Sequence, residues 1–331
     1  MPGKNGYVRE HAEESLEPKT RVVGIISGKG GVGKTTFSAN LAIALDALGK
    51  KVVVVDCNVT TPHLSYYLGV KSFSTTINNV FAGDVDVRFA PLDQNGVMFI
   101  PASERFVDLK KVDMRNLKSI IMRLAKKEDF DFIILDSAPG IGREAVGVLQ
   151  ACNEILFVTN PTVPNVMDVV RCNEVARMLG HKNFSMVFNM VRGKDHELTA
   201  EKAEELFGIP VLGVVPFDQN VMDSTAEGVP IMWYKPKSPS CKSFLYIAME
   251  LAGIDYRFTG AAEDEEEEKY DEEPDEEEEG EGEKEEEYEE IGIIPIVEKA
   301  EEYRRTRSKR GKRLRRRIDR AAGRIRSVFR R

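Results

Sequence analysis

Short, unbroken apolar runs such as Val22–Ile26, Val52–Val55 and Phe132–Leu135 alternate along the chain with stretches whose apolar residues recur at helical spacing. The continuous runs predict strands buried on both faces of a parallel sheet, and the periodic stretches predict helices packed against it. Read in order, the pattern predicts a strand from Val22 to Ser27, a helix from Phe37 to Leu48, a strand at 52–56 and a helical stretch ending near Phe81. A strand at 97–100, a helix around 114–126, a strand at 131–136 and a helix around 142–151 follow. Then come a strand at 154–159, a helix from Pro164 to about Leu179, a strand at 184–190, a helix opening at Thr199, a strand at 211–215 and short helices finishing near Leu251. Thr199 offers an N-cap without the Glu that a capping box would place three residues on. The fold class is α/β: a doubly wound, mostly parallel sheet with helices on both faces. Such a sheet binds ligands beyond the C-terminal ends of its strands, where Ser27, Asp56 and Asp136 fall.

One of those strand ends carries a recognisable chemistry. Gly28-Lys29-Gly30-Gly31-Val32-Gly33-Lys34-Thr35-Thr36 joins the first strand to the first helix, the context a phosphate-binding loop requires. Its glycines let backbone amides turn inward on a pyrophosphate, and the helix N-terminus adds partial positive charge. Lys34 would reach the β/γ-phosphates, and the Thr35 hydroxyl would ligate Mg²⁺. Asp136, closing an apolar strand, would hold Mg²⁺ directly or through water.

Charge divides the 331 residues into a body and a tail. Glu263 to Glu290 holds 21 acidic residues and two lysines, a net of −19, whereas Ile291 to Arg331 carries +12. The body therefore sits near neutrality, and partners must be read from the segments. The acidic stretch is too poor in apolar side chains to offset its ordering entropy, so it is expected to be disordered. In the basic stretch Leu314, Ile318, Ala321, Ala322, Ile325, Val328 and Phe329 share one arc of a helical wheel, which predicts a basic amphipathic helix. No apolar run is long enough to span a bilayer, and residues 1–20 lack the apolar stretch of a secretory signal. The four cysteines, Cys57, Cys152, Cys172 and Cys241, form no C-x-x-C pair, which suits a reducing cytoplasm.

The second lysine inside the glycine run, Lys29, resembles the deviant phosphate loop of the MinD/ParA family of dimerising ATPases. The resemblance spans roughly residues 20 to 258. It includes Val52-Val53-Val54-Val55-Asp56-Cys57-Asn58 at the first switch and Phe132 to Glu144 at the Walker B strand and second switch. Val158-Thr159-Asn160-Pro161 with Asp168 and Arg171 is similar to the MinD branch, as are Phe188-Asn189 and Val215-Pro216-Phe217-Asp218. It implies ATP and Mg²⁺ as cofactors, held by Gly28, Lys29, Gly30, Gly31, Val32, Gly33, Lys34, Thr35, Thr36, Asp56, Asn189, Pro216 and Asp218. Asn189 and Asp218 would lie on the adenine side, although strand-end Asn and Asp often serve turns instead. Lys29 would reach across a homodimer interface to the partner's phosphates. The catalytic set it implies is Lys29, Lys34, Asn58 and Asp136. Position 58 departs from the family's Asp-x-Asp, because an Asn can orient the attacking water but cannot take its proton. Slow hydrolysis and a long-lived ATP-bound dimer are expected.

The resulting organisation is a flexible leader at 1–20, a P-loop ATPase domain at 21–258, an acidic disordered linker at 261–290 and a basic amphipathic tail at 291–331. The tail fits an anionic membrane surface through residues 303–331; DNA, or packing against the body or a partner protein, is the alternative. The expected behaviour is that of a cytoplasmic, peripherally membrane-associated ATP switch that positions a cargo or responds to an activating protein. A ParA-like partition ATPase and a nucleotide-bound scaffold that never turns over are the competing readings.

Overall fold

A computed structural model describes residues 20–127 and 129–254. The leader up to residue 19, the acidic linker and the basic tail lie outside the described residues.

The strands are β1 (Arg21–Ile26), β2 (Val52–Asp56), β3 (Leu92–Gln94), β4 (Val97–Ile100), β5 (Phe132–Asp136), β6 (Glu154–Thr159), β7 (Phe184–Val191) and β8 (Val211–Pro216). Ten helices connect them: α1 (Lys34–Ala47), α2 (Leu64–Tyr67), α3 (Ile77–Ala82), α4 (Leu117–Lys127), α5 (Arg143–Ala151), α6 (Val163–Met178), α7 (Ala200–Phe207), α8 (Gln219–Ala226), α9 (Ile231–Tyr234) and α10 (Pro239–Ala252). They build one eight-stranded sheet in the order β3-β4-β2-β5-β1-β6-β7-β8. Every neighbouring pair runs parallel except β3 with β4.

Parallel pairing in the middle of the sheet buries both faces of each strand, which is why the central strands read as continuous apolar runs. Their side chains sort by parity. Val23, Ile25, Val52, Val54 and Ile134 face α1 and α10, meeting Phe37, Leu41, Phe244 and Leu245. Val22, Ile26, Val53, Val55, Ile133 and Leu135 face the other way, onto Ile120 and Leu124 of α4, Val148 of α5 and Val169 of α6. Full burial of each such side chain contributes on the order of 1.5–3 kcal/mol.

Several elements depart from the sequence expectation: α10 is a 14-residue helix where only short helices were expected, and the helical stretch ending near Phe81 is two helices, α2 and α3. Helix α1 begins at Lys34 rather than Phe37, because its first turn is the polar Lys-Thr-Thr of the loop and shows no apolar spacing. β3 was not expected at all, since its three residues include a single apolar side chain. It pairs with β4 through a two-residue turn at Asn95 (φ 54°) and Gly96 (φ 92°), both left-handed. An Asn-Gly pair suits that turn because its backbone twist matches the twist of the strands.

Candidate functional site

The loop from Ser27 to Gly33 leaves the C-terminal end of β1, next to the ends of β5 and β6, with β2 one strand beyond β5. Gly33 is the N-cap of α1 in the left-handed region (φ 83°), and no side chain caps the helix there. Its first amides are thus left to an external acceptor, which is the electrostatic basis of a phosphate site. The loop is packed tightly from behind. A Cβ on Gly28 would fall 2.3 Å from Cβ of Asp168 on α6, and one on Gly33 would fall 2.3 Å from Nδ2 of Asn189. Asp168 in turn pairs with Arg171 at 3.4 Å.

Lys34 points inward. Its Nζ lies 3.1 Å from Oδ1 of Asp136, with both side chains buried, and it also donates to the backbone carbonyl of Ser137. Ser38, one turn further along α1, donates to the same Asp136 Oδ1 at 3.0 Å. The second carboxylate oxygen, Oδ2, and the hydroxyl of Ser27 are buried without a hydrogen-bond partner. Buried polar atoms are rarely left unmatched, so an unpartnered carboxylate oxygen at the mouth of a phosphate loop fits a hydrated divalent cation. Asp136 and Thr35, in the first turn of α1, are the residues that would hold it.

Asp56 sits opposite Asp136 in the β2–β5 register. Burial, and then the charge of Asp136, push its carboxyl up to about 8. It accepts from the amides of Asn58 (3.0 Å) and Leu64 (3.1 Å), so it ties down the segment after β2. Asn58 itself is occupied within that segment. Its Nδ2 donates to the Thr61 carbonyl at 2.7 Å, and its Oδ1 accepts from the Thr61 amide and hydroxyl at 3.3 and 3.1 Å. Glu144 of α5 accepts from the Thr60 amide and hydroxyl, at 3.0 and 2.5 Å. The segments following β2 and β5 are therefore latched to one another.

Of the residues expected on the base side, Asn189 reaches the loop. Its Nδ2 donates to the Val32 carbonyl at 2.8 Å, while its own backbone carbonyl accepts from Asn160 at 2.9 Å. Pro216 ends β8, and the Phe217 ring after it lies under the Arg192 guanidinium at 3.6 Å. Asp218 caps α8, accepting from the Asn220 amide at 2.8 Å and from the Ser240 hydroxyl at 2.8 Å. Burial acts to raise its pKa, but the bonds from Ser240 and Asn220 hold its carboxyl below the ordinary value. Here Asp218 performs the turn-capping role that strand-end Asp often serves. Lys29, Gly30 and Gly31 are exposed at the rim, and Lys29 forms no ion pair among the described residues.

Sequence reasoning missed Ser38, whose position one turn after Lys34 on the same helix face was the available signal. It also gave Ser27 no more than a place at a strand end. All four cysteines are buried and free. Burial pushes the Cys152 and Cys241 thiols up to about 12 and that of Cys172 to about 11. Among the described residues no group of three or more His, Cys, Asp or Glu converges as a metal site, and no helix is long and apolar enough to cross a membrane.

The folded region is similar to known proteins. Residues 19–252 match a family model described as ParA, NUBPL iron-transfer P-loop NTPase. An ATP-binding protein of Methanocaldococcus jannaschii is 32% identical over 235 residues, 71% of this chain and 88% of that protein. The septum site-determining protein MinD of Synechocystis is 30% identical over 247 residues, covering 72% of this chain and 91% of the relative. The structure of MinD with Mg-ADP from Pyrococcus horikoshii superposes with a TM-score of 0.67 at 33% identity, covering 71% of this chain and 98% of that one. With a family model matched over residues 19–252 and relatives at 30% identity or more over most of their length, the chain belongs to the ParA/MinD family of P-loop NTPases.

Proposed function

We propose that the protein is an ATP-dependent dimerising switch that binds ATP with Mg²⁺, hydrolyses it slowly and converts nucleotide state into attachment at an anionic membrane surface, where it positions other proteins. The observation that carries the reading is the opposite placement of two lysines in one loop. Lys34 is 6% exposed and aimed at Asp136, whereas Lys29 stands at the exposed rim with no ion pair among the described residues. A buried loop lysine serves the phosphates bound by its own subunit, and an exposed one is available to a second subunit's. The Mg-ADP bound by the Pyrococcus relative supports the choice of cofactors.

In this reading Lys34 and the amides of Gly30 to Thr35 bind the phosphate chain, and Thr35 with Asp136 holds the cation. When bound, Mg²⁺ neutralises charge on the β- and γ-oxygens. Asn58 orients the attacking water once one of its Thr61 bonds opens, and the missing proton acceptor keeps turnover slow. Asn189, Pro216 and Asp218 lie on the base side. Two weakly binding tails on one dimer attach by avidity.

Analytical ultracentrifugation with ATP tests assembly: the wild-type chain should dimerise, and Lys29→Ala should bind ATP yet stay monomeric. Dimerisation surviving that change removes the cross-subunit role. Co-sedimentation with anionic liposomes, with and without ATP, for the full chain and for one lacking residues 291–331, tests the destination. A tail that shifts DNA and ignores liposomes supports the partition reading instead.

A further inference from the structure

One side of α4 is unusual for a surface helix. Leu117, Ile120, Ile121 and Leu124 are buried in the core beneath it. Its outer side exposes Lys118, Met122, Arg123 and Lys126. The helix contains no acidic residue. Beside it, the turn at Val87–Phe89 packs on α4 and leaves Phe89 73% exposed, with Met122 47% exposed on the helix itself. The carboxylates near this edge are already engaged: Asp86 with Arg88 at 2.6 Å and, at longer range, with the charge of Arg123, Asp113 with Arg115 at 2.7 Å and Asp84 with Lys111 at 3.5 Å. Among the described residues, Lys118, Arg123 and Lys126 make no ion pair within 4 Å. The result is a cationic strip flanking two exposed apolar side chains, a surface suited to an acidic peptide that carries aromatic rings.

The fold delivers such a peptide to this strip. The described chain ends at Ile254, just past α10. The Leu251 carbonyl of α10 accepts from the Arg21 guanidinium, and the neighbouring Thr20 hydroxyl donates to the Phe130 carbonyl at 2.8 Å and reaches the Ala125 carbonyl of α4 at 3.5 Å. The exit of α10 and the last turn of α4 thus flank the same two residues at the start of β1. From Ile254 to Glu263 the chain spans at most about 30 Å, and α4 itself is about 16 Å long.

We infer that the acidic stretch at 263–290 docks on the Lys118–Lys126 side of α4 in its own chain, with Tyr270 or Tyr288 against Met122 and Phe89. Charge supports this occupant over a free linker. The stretch carries −19 against +12 in the basic tail beyond it, so pairing with that tail leaves acidic groups over for α4. A tether of this length gives an effective concentration on the order of millimolar, enough for individually weak, screened contacts to be occupied. Docking also gives the tail a direction, since it would leave from the end of the sheet opposite the phosphate loop.

Zero-length carbodiimide cross-linking of the full chain, mapped by mass spectrometry, tests this. At about 50 mM salt, Lys118 and Lys126 should link to carboxylates within 263–290, and raising the salt to about 500 mM should reduce those links at least five-fold. Hydroxyl-radical footprinting gives an independent readout. Met122 and Phe89 should be oxidised roughly three-fold more slowly in the wild-type chain than after replacement of 263–290 by a Gly/Ser linker of equal length, or in Arg123→Glu/Lys126→Glu. The linker variant leaves the folded domain untouched, so the comparison does not depend on the helix tolerating charge reversal. Links confined to Lys299, Lys309 and Lys312 of the tail would overturn the inference. So would equal oxidation in all chains, or protection arising only when anionic vesicles or DNA are added.

Discussion

Asn189 holds the Val32 carbonyl of the phosphate loop at 2.8 Å, joining the end of β7 to the turn that precedes α1. The contact links the side of the site expected to meet the base with the side expected to meet phosphate. Asn189→Ala would leave that carbonyl buried without its donor, a loss of about 1–3 kcal/mol. Nucleotide affinity, measured by titration calorimetry, should fall about ten-fold, with a lower melting temperature in the nucleotide-free protein. Affinity unchanged to within two-fold would show that the loop keeps its shape unaided.

Two glycines in the loop separate backbone strain from steric crowding. Gly31 (φ 82°) and Gly33 (φ 83°) are both left-handed, but a Cβ at Gly31 meets nothing within 4 Å while one at Gly33 meets Asn189 at 2.3 Å. Gly31→Ala should therefore cost about 1–2 kcal/mol of stability, from the backbone alone. Gly33→Ala should add a further 1–3 kcal/mol, roughly, and abolish nucleotide binding. Equal denaturant midpoints for the two variants would contradict the crowding.

The raised carboxyl of Asp56 makes the nucleotide-free protein sensitive to pH. Its folded value of about 8 stands above the ordinary 3.8, so between those limits the folded state retains a proton that the unfolded chain releases. Stability from this group is present at the acid end of the window and is lost as pH rises toward 8. Asp56→Asn carries no titrating proton there, and its melting temperature should decline less than the wild type's between pH 5 and pH 8. Parallel declines would mean that Asp56 is ionised throughout.

Asn58→Asp tests the water-positioning role against the local structure. An acid at 58 can accept a proton, so kcat should rise. It also replaces the Nδ2 donor with an acceptor 2.7 Å from the Thr61 carbonyl, which should cost about 1–2 kcal/mol and speed amide exchange over residues 58–64. Lower turnover with nucleotide binding intact would remove the role.

The strands and loop of this site were legible because their signals are local: an unbroken apolar run, glycines at fixed offsets, and an Asp or Lys at the strand or helix end. What escaped depends on pairing between distant segments. Ser38 reads as a neutral helix residue until β5 brings Asp136 to it. Asn189 was expected at a base, and it spends its amide on a loop carbonyl 157 residues away in the chain. β3 is too short to show a period, although Asn95-Gly96 signals its turn. The capping box at Thr76 and Asn79 was also overlooked, because an Asn there replaces the usual Glu or Gln.

The place of β1 between β5 and β6 has a consequence for how the molecule is made. The strand that carries the phosphate loop leaves the ribosome early, yet its two neighbours begin only at Phe132 and Glu154. At about 5–20 residues per second the gap lasts on the order of ten seconds. Throughout that interval Arg21–Ile26 has neither of the strands it pairs with in the folded sheet, and the loop behind it has neither Asp136 nor Asn189 to shape it. A complete phosphate site therefore forms only after β7 has been made, since Asp136 and Asn189 both arrive later than the loop they hold.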